Sequence, residues 1–279
     1  MKVYKLKNGV TVPQVGFGTW QIKEGELAFN AVSTALEVGY RHIDTAAVYG
    51  NEVSVGKAIN QSNLKREEIF VTSKLWNSDR GYEETLKAFE VSLKKLNLEY
   101  MDMYLLHWPA NAKQFDNWRD INASSWKSLE KLYEEGKVKA IGVSNFMREH
   151  LEALLPTATI KPMVNQIEFH PGFMQEDTIA LCEKESILIE AWSPLGSGKM
   201  LDNEVLIAIA KKYNVSVAQL CIRWVLQKGH LPLPKSVTPE RIKNNLDVYG
   251  FIISDEDVNR IDALPYIGGS GLNPSEVEF

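Results

Sequence analysis

Four polar side chains interrupt an otherwise apolar pattern at places where they can do chemistry: Asp44, Tyr49, Lys74 and His107. Asp44, Lys74 and His107 each close a short apolar run (residues 41–44, 70–74 and 101–107), and Tyr49 follows in the segment after Asp44. Taken singly each has an ordinary explanation. A terminal aspartate caps a turn, a tyrosine packs, a lysine reaches solvent, and a histidine is merely hydrogen-bonded. Together they make a set that suits carbonyl reduction by hydride. As hydride reaches the carbonyl carbon, the oxygen becomes an incipient alkoxide and needs a proton. A phenol with an ordinary pKa of about 10 still carries that proton at neutral pH, and a neighbouring ammonium eases its release by stabilising phenolate. In this reading Tyr49 is the acid, Lys74 its electrostatic partner and Asp44 the group that keeps Lys74 charged and aimed. A nitrogen of His107 orients the substrate oxygen.

Such a set requires elements that bring it together. Eight short apolar runs read as strands, at residues 15–19, 41–44, 70–74, 101–107, 139–145, 163–168, 188–193 and 231–234. Between them lie segments with helical spacing, such as Leu86, Phe89, Leu93 and Leu96, or Val217, Leu220, Cys221, Trp224 and Val225. Gly39, Gly136 and Gly229 stand just past three helical patterns, where a left-handed residue ends a helix. Strand then helix, repeated about eight times, predicts a parallel (β/α)8 barrel of the TIM type, whose reactive groups gather at the C-terminal ends of the strands. An N-terminal β-hairpin, residues 3–6 and 10–12 around Asn8-Gly9, is expected to cap it, the dipeptide supplying the positive φ angles of a tight turn. Extra helices over residues 203–213 and 254–262, with the tail from Gly268, exceed the repeat and are expected to shape the barrel mouth. No Pro/Ser/Gly linker divides the chain, so residues 1–279 are read as one domain.

Composition narrows the function. With 44% hydrophobic residues among 279 the chain can bury a large core, and 31 basic against 36 acidic side chains give a net charge of −5. No basic tract invites nucleic acid. Two cysteines, Cys182 and Cys221, form neither a disulfide framework nor a CxxC pair. Residues 1–8 lack the apolar stretch of a signal peptide, and no later run approaches the ~18 apolar residues of a membrane span. A cytoplasmic protein that uses no membrane is the expectation.

The motifs resemble a family. Arg41-His42-Ile43-Asp44-Thr45-Ala46-Ala47-Val48-Tyr49-Gly50-Asn51-Glu52, Thr72-Ser73-Lys74-Leu75-Trp76, Leu105-Leu106-His107-Trp108-Pro109, Gly142-Val143-Ser144-Asn145-Phe146 and Pro234-Lys235-Ser236 are similar, in order, to the aldo-keto reductases. The resemblance covers the chain nearly end to end and implies an NADPH-dependent oxidoreductase with Asp44, Tyr49, Lys74 and His107 as catalytic tetrad. A related steroid double-bond reductase group has glutamate in place of the histidine, so His107 points to carbonyl reduction. The resemblance also implies a cofactor site. Ser144, Asn145 and Gln166 would hold the nicotinamide carboxamide, and Trp192 would stack on the ring where tyrosine is common, with loss of the phenol hydroxyl. Ser193, Leu195 and Ser197 would lie along the pyrophosphate, and the backbone of Gly18 and Thr19 near the nicotinamide. Lys235, Ser236, Val237, Thr238, Arg241 and Asn245 would form the 2′-phosphate pocket, a role compatible with an ordinary helix start because helix N-termini favour anions. Asn244 stands where many relatives have glutamate.

Trp20, Trp76 and Trp108 each follow a strand end and, with His107, would ring the substrate. The segment from His107 to Ser124 is short and the tail modest, which implies a shallow, accessible pocket. That suits small aldehydes, dicarbonyls and keto-sugars, as in the bacterial diketogluconate and glyoxal reductases, and a monomer that needs no metal. Two other readings stay open. His42, Asp44, His107 and His170 could make a metal-dependent barrel hydrolase, which leaves Tyr49 and Lys74 unexplained. Alternatively the fold and cofactor could serve a redox-sensing accessory module of the potassium-channel β-subunit kind. Gly16-Phe17-Gly18 lacks the third glycine of a Rossmann fingerprint, and Gly196-Ser197-Gly198-Lys199 lacks two positions of a phosphate loop. Ser54-Val55-Gly56-Lys57 matches SxxK without companions and is read as helix surface.

Overall fold

The computed structural model describes residues 2–266 and 268–279; Met1 and Ile267 lie outside the described residues. The chain opens with an antiparallel pair, β1 (Val3–Lys5) and β2 (Thr11–Pro13), with Val3 opposite Pro13. Only Gly9 of the Asn8-Gly9 pair takes a positive φ, 89°. The Leu6 N–H donates to the Val10 carbonyl and the Gly9 N–H to the Leu6 carbonyl, so residues 7–9 form a three-residue loop between the strands. Asn8 instead works through its side chain, which accepts from the Val10 N–H and donates to the Lys139 carbonyl. Tyr4 donates to the His230 carbonyl. Both contacts lie at the starts of barrel strands, so the hairpin caps the end of the barrel remote from the strands' C-terminal ends.

Strand and helix then alternate: β3 (Phe17–Gly18), α1 (Glu26–Val38), β4 (His42–Asp44), α2 (Glu52–Asn60), β5 (Phe70–Leu75), α3 (Tyr82–Leu96), β6 (Met101–Leu106) and α4 (Trp118–Glu134). They continue through β7 (Val138–Ser144), α5 (Arg148–Leu154), β8 (Val164–Glu168), α6 (Glu176–Lys184), β9 (Leu188–Trp192), α7 (Glu204–Lys212), α8 (Val217–Gln227), β10 (Leu231–Leu233), α9 (Pro239–Leu246) and α10 (Asp255–Asp262). β3 to β10 form one parallel sheet in sequence order, and each of the eight expected runs overlaps one of its strands. Closure comes from the Gly16 and Gly18 N–H groups, which donate to the Pro232 and Pro234 carbonyls at 3.1 Å. A Cβ on Gly16 would lie 2.4 Å from Leu233 and 2.7 Å from the His42 ring. The glycines that failed as a nucleotide fingerprint therefore permit the first and last strands to meet. This is a (β/α)8 barrel with an N-terminal hairpin and additional helices α7 and α10.

Alternation along the strands sorts the side chains. Val71 and Ile43 turn to the helices, whereas His42, Thr72 and Phe70 face one another inside. His42 Nε2 lies 3.0 Å from Thr72 Oγ1, and its ring meets Phe70 edge-on at 5.0 Å. Burial, and secondarily the charge of Lys74, depress its pKa to about 3, so it stays neutral beneath the layer formed by Asp44 and Lys74. Ser54 departs from expectation. It is buried in α2, where it donates to Glu24 Oε1 at 2.6 Å and accepts from the Gly25 N–H, while Lys57 alone of that motif is exposed.

Candidate active site

Parallel register lifts Asp44, Lys74 and His107 to the same end of the barrel. Asp44 is paired with Thr72, so Lys74 stands two residues nearer the mouth, and His107 directly follows β6. Tyr49 is brought back over them by a 3-10 turn, Ala47–Tyr49, which Asn51 ties down. Its side chain accepts from Thr45 Oγ1 at 2.8 Å and donates to the Thr19 and Ile22 carbonyls at 2.9 and 3.0 Å.

Lys74 is completely buried, and each of its three ammonium hydrogens has an acceptor. Nζ lies 2.7 Å from Asp44 Oδ1, 2.9 Å from the Thr45 carbonyl and 3.3 Å from the Tyr49 hydroxyl. Because the Tyr49 oxygen accepts from Lys74, the phenol keeps its own hydrogen to donate elsewhere. Burial works against the Lys74 charge, but Asp44 and then Tyr49 outweigh it and hold the pKa above 10.5. For Tyr49 the balance differs from the sequence-based expectation. Burial raises the phenol above its ordinary 10.0 and exceeds the opposing pull of Lys74, with Asp44 adding to the rise. The phenol is thus fully protonated at neutral pH, and the ammonium limits rather than reverses the effect of burial. Burial and the Lys74 charge also drive His107 well below 6.5, so a neutral imidazole with a single N–H faces the site. Its ring meets Tyr49 and Trp76 edge-on at 5.6 and 5.3 Å, and Nδ1 has no partner among the described residues.

A second row of polar groups lies beside this one. Gln166 donates through Nε2 to Asp44 Oδ2 at 2.9 Å and to Glu190 Oε2 at 2.8 Å. Ser144 donates to the Gln166 carbonyl. Asn145, at a positive φ of 62°, donates to the His107 carbonyl at 2.9 Å and to Ser144 Oγ. Trp192 replaces the phenol hydroxyl it lacks with its indole N–H, which donates to Asn145 Oδ1 at 2.9 Å. Thr19 Oγ1 and N–H both donate to the Asp44 carbonyl.

Two further regions have the donors a phosphorylated cofactor needs. After β9 the chain turns through Ser193, Gly196, Ser197 and Gly198, all at positive φ, with Leu195 between and the Ser193 and Ser197 hydroxyls 3.3 Å apart. After β10, Lys235 and Arg241 are exposed and make no ion pair among the described residues. Val237 is exposed beside them, and Asn245 is buried on α9. Thr238 occupies the N-cap position of α9 without a capping bond from its side chain, and Ser236 Oγ accepts from the Thr238 N–H instead. Both cations and the first-turn N–H groups of α9 are therefore available to an anion.

The tryptophans divide. Trp76 and Trp108 meet through Phe279, which stacks on Trp76 at 5.6 Å and meets Trp108 edge-on at 5.3 Å. Trp20 is 46% exposed at the rim. The short segment after His107 does not leave the mouth open. Asn111 donates to the Pro274 and Val277 carbonyls and Gln114 to that of Phe279, as does Asn77, which draws the tail across the tryptophans. Phe279 had no sequence signal, since its partners lie far away along the chain. Glu190 had one: an acid two residues before Trp192, hence on the same strand face, within an apolar run. Of the groups invoked for a metal site, Asp44 is committed on both oxygens, to Lys74 and Gln166, whereas His42, His107 and His170 each keep one ring nitrogen without a hydrogen-bond partner among the described residues. His170 Nδ1 lies 2.9 Å from the Pro171 carbonyl.

Comparison with known proteins agrees with this geometry. The Aldo/keto reductase family model matches residues 14–265. The chain is 51% identical over 275 residues to a glyoxal reductase of Bacillus subtilis, covering 99% of this chain and 97% of the relative. Its fold matches the crystal structure of an aldo-keto reductase from a Medee basin deep-sea metagenome library with a TM-score of 0.94 and 46% identity, over 99% of this chain and 100% of the other. A Gox0644 mutant in complex with NADPH matches with a TM-score of 0.92 and 39% identity, over 100% and 99%. With a buried lysine, aspartate and histidine and a half-buried tyrosine at the mouth of a parallel barrel, and relatives that match over almost their whole length, the chain belongs to the aldo/keto reductase family.

Proposed function

We propose that this chain is one cytoplasmic, monomeric catalytic domain that reduces small aldehydes, ketones and dicarbonyls, such as methylglyoxal or keto-sugars, to alcohols with NADPH. The observation that carries the reading is the fully buried Lys74 ammonium, 2.7 Å from Asp44 and 3.3 Å from a Tyr49 hydroxyl that retains its own hydrogen. NADPH, when bound, supplies the hydride. Tyr49 gives its proton to the carbonyl oxygen and regains it from solvent. Lys74 stabilises the phenolate left behind, Asp44 holds Lys74, and the neutral imidazole of His107 aligns the oxygen. A charge at ~4 Å under an effective dielectric of ~20 contributes about 4 kcal/mol, or about a thousandfold in rate.

The residues fit the cofactor. Lys235 and Arg241, without ion pairs at the start of α9, suit a 2′-phosphate, with Ser236, Val237, Thr238 and Asn245 around it. The Ser193 to Ser197 turn suits a pyrophosphate, and Gly18, Thr19, Ser144, Asn145, Gln166 and Trp192 the nicotinamide end. The tail beside Trp76 and Trp108, with Trp20 at the rim, favours compact substrates. No single helix among the described residues is long and apolar enough to cross a membrane, and the net charge of −5 gives no footing to nucleic acid. The test is NADPH oxidation against a panel of carbonyls. Methylglyoxal and aromatic aldehydes should turn over, with NADH a poorer donor. Tyr49→Phe should lose about a thousandfold in kcat while binding NADPH nearly as before. Near wild-type turnover in that variant would assign the proton to another residue. Tight NADPH binding without turnover of any carbonyl would favour the accessory-module reading.

A further inference from the structure

Glu190 is an acid with no place in the tetrad, yet it is entirely buried in the middle of β9 between Ile189 and Ala191. Burying a carboxyl there is costly, and leucine or valine would serve the strand better. One of its oxygens, Oε1, has no partner among the described residues. The other, Oε2, accepts from Gln166 Nε2 at 2.8 Å, and the same nitrogen donates to Asp44 Oδ2 at 2.9 Å. An amide nitrogen has two hydrogens. Both are therefore committed to carboxyl groups, and the Gln166 carbonyl oxygen must turn the other way. Flipping the amide would press that oxygen against two carboxyl oxygens, so two acceptors impose an orientation that Asp44 alone would impose more weakly.

We propose that Glu190 is a positioning residue of the nicotinamide pocket: by accepting the second hydrogen of Gln166 it keeps the Gln166 carbonyl turned toward the cofactor's carboxamide and keeps the amide on Asp44. The proposal rests on the reading that Gln166 meets the carboxamide. Burial first, then the charge of Asp44, lift the Glu190 pKa to about 8 against the opposing effects of Gln166 and Lys74, so the side chain is mainly the neutral acid at pH 7. A neutral acid still accepts through its carbonyl oxygen. Glutamine should therefore replace it, whereas a hydrocarbon should not.

The experiment measures binding of two ligands by calorimetry: NADPH, and 2′-phospho-ADP-ribose, which lacks the nicotinamide. Glu190→Leu should weaken NADPH about tenfold, the scale of one misplaced hydrogen bond, and leave the fragment within about twofold. Glu190→Gln should restore NADPH affinity. Should Glu190→Leu not fold, Glu190→Ala is read on the same two ligands. Equal weakening of both ligands would mean that Glu190 only supports the scaffold, and the proposal fails. Wild-type NADPH affinity in Glu190→Leu, with affinity lost in Gln166→Ala, would also overturn it while leaving the role of Gln166 intact. Unchanged NADPH affinity in Gln166→Ala would remove the reading on which the proposal stands.

Discussion

Lys74 shows how one side chain makes this barrel both costly and useful. An ammonium with no exposure survives only because Asp44, the Thr45 carbonyl and the Tyr49 hydroxyl take its three hydrogens. Lys74→Met keeps the length and removes the charge, which should have two consequences. The phenolate loses its stabilising partner, so kcat should fall about a thousandfold. Asp44 is left buried with only Gln166, so denaturant unfolding at pH 7 should show a loss of about 3 kcal/mol. A variant within tenfold of wild-type kcat would show that the Lys74 charge does not serve the proton transfer. At this scale Asp44, Lys74 and His107 were legible because each breaks an apolar run at its end, and Tyr49 because it follows Asp44 closely. Glu190 breaks one in the middle, the same signal in a less expected place. The final balance at Tyr49 was not legible, since burial and Lys74 act in opposite directions and only the folded surroundings decide between them.

Elements place these residues, and α2 does so under tight constraint. A Cβ on Gly56 would lie 2.1 Å from the Leu96 carbonyl oxygen at the end of α3, a backbone atom that cannot move aside cheaply. Asn60 secures the same approach by donating to the Gly56, Leu96 and Asn97 carbonyls. At its other end α2 carries Glu52, which accepts from Ser73 Oγ at 2.7 Å beside Lys74, and it directly follows the turn that bears Tyr49. Gly56→Ala should therefore force the helices apart and destabilise the protein by about 3 kcal/mol, read as a fall in melting temperature of roughly 5–10 °C. An unchanged melting temperature would mean that α2 shifts without resistance. Strands and helices were legible to within a few residues because their periods are local properties of the chain. The hairpin was legible too, except that Asn8 satisfies the turn through its side chain instead of the positive φ expected of it.

Across the whole molecule, buried titratable groups set the response to pH. Glu190 is lifted from 4.5 to about 8. The folded state therefore binds a proton that the unfolded state has released between those values, and stability falls as pH rises through that window. His42, His150 and His230, depressed by burial to about 3, 4 and 4, act oppositely and remove stability as pH falls below 6.5. Glu190→Gln should leave stability near pH 5 almost unchanged and raise it by up to about 5 kcal/mol at pH 9, measured by denaturant unfolding across pH. A constant difference between variant and wild type would contradict the buried acid. The sequence by itself determined the alternation of strand and helix and the polar residues that crown the strands, because both follow from period, parity and the cost of a charge in an apolar run. Tertiary structure alone decided which of them meet. Gln166 reaches Asp44 across 122 positions, Phe279 reaches Asn77 across 202, and Gly16 closes the barrel against Pro232. Such contacts depend on register and closure summed around the whole barrel, and no local pattern records them.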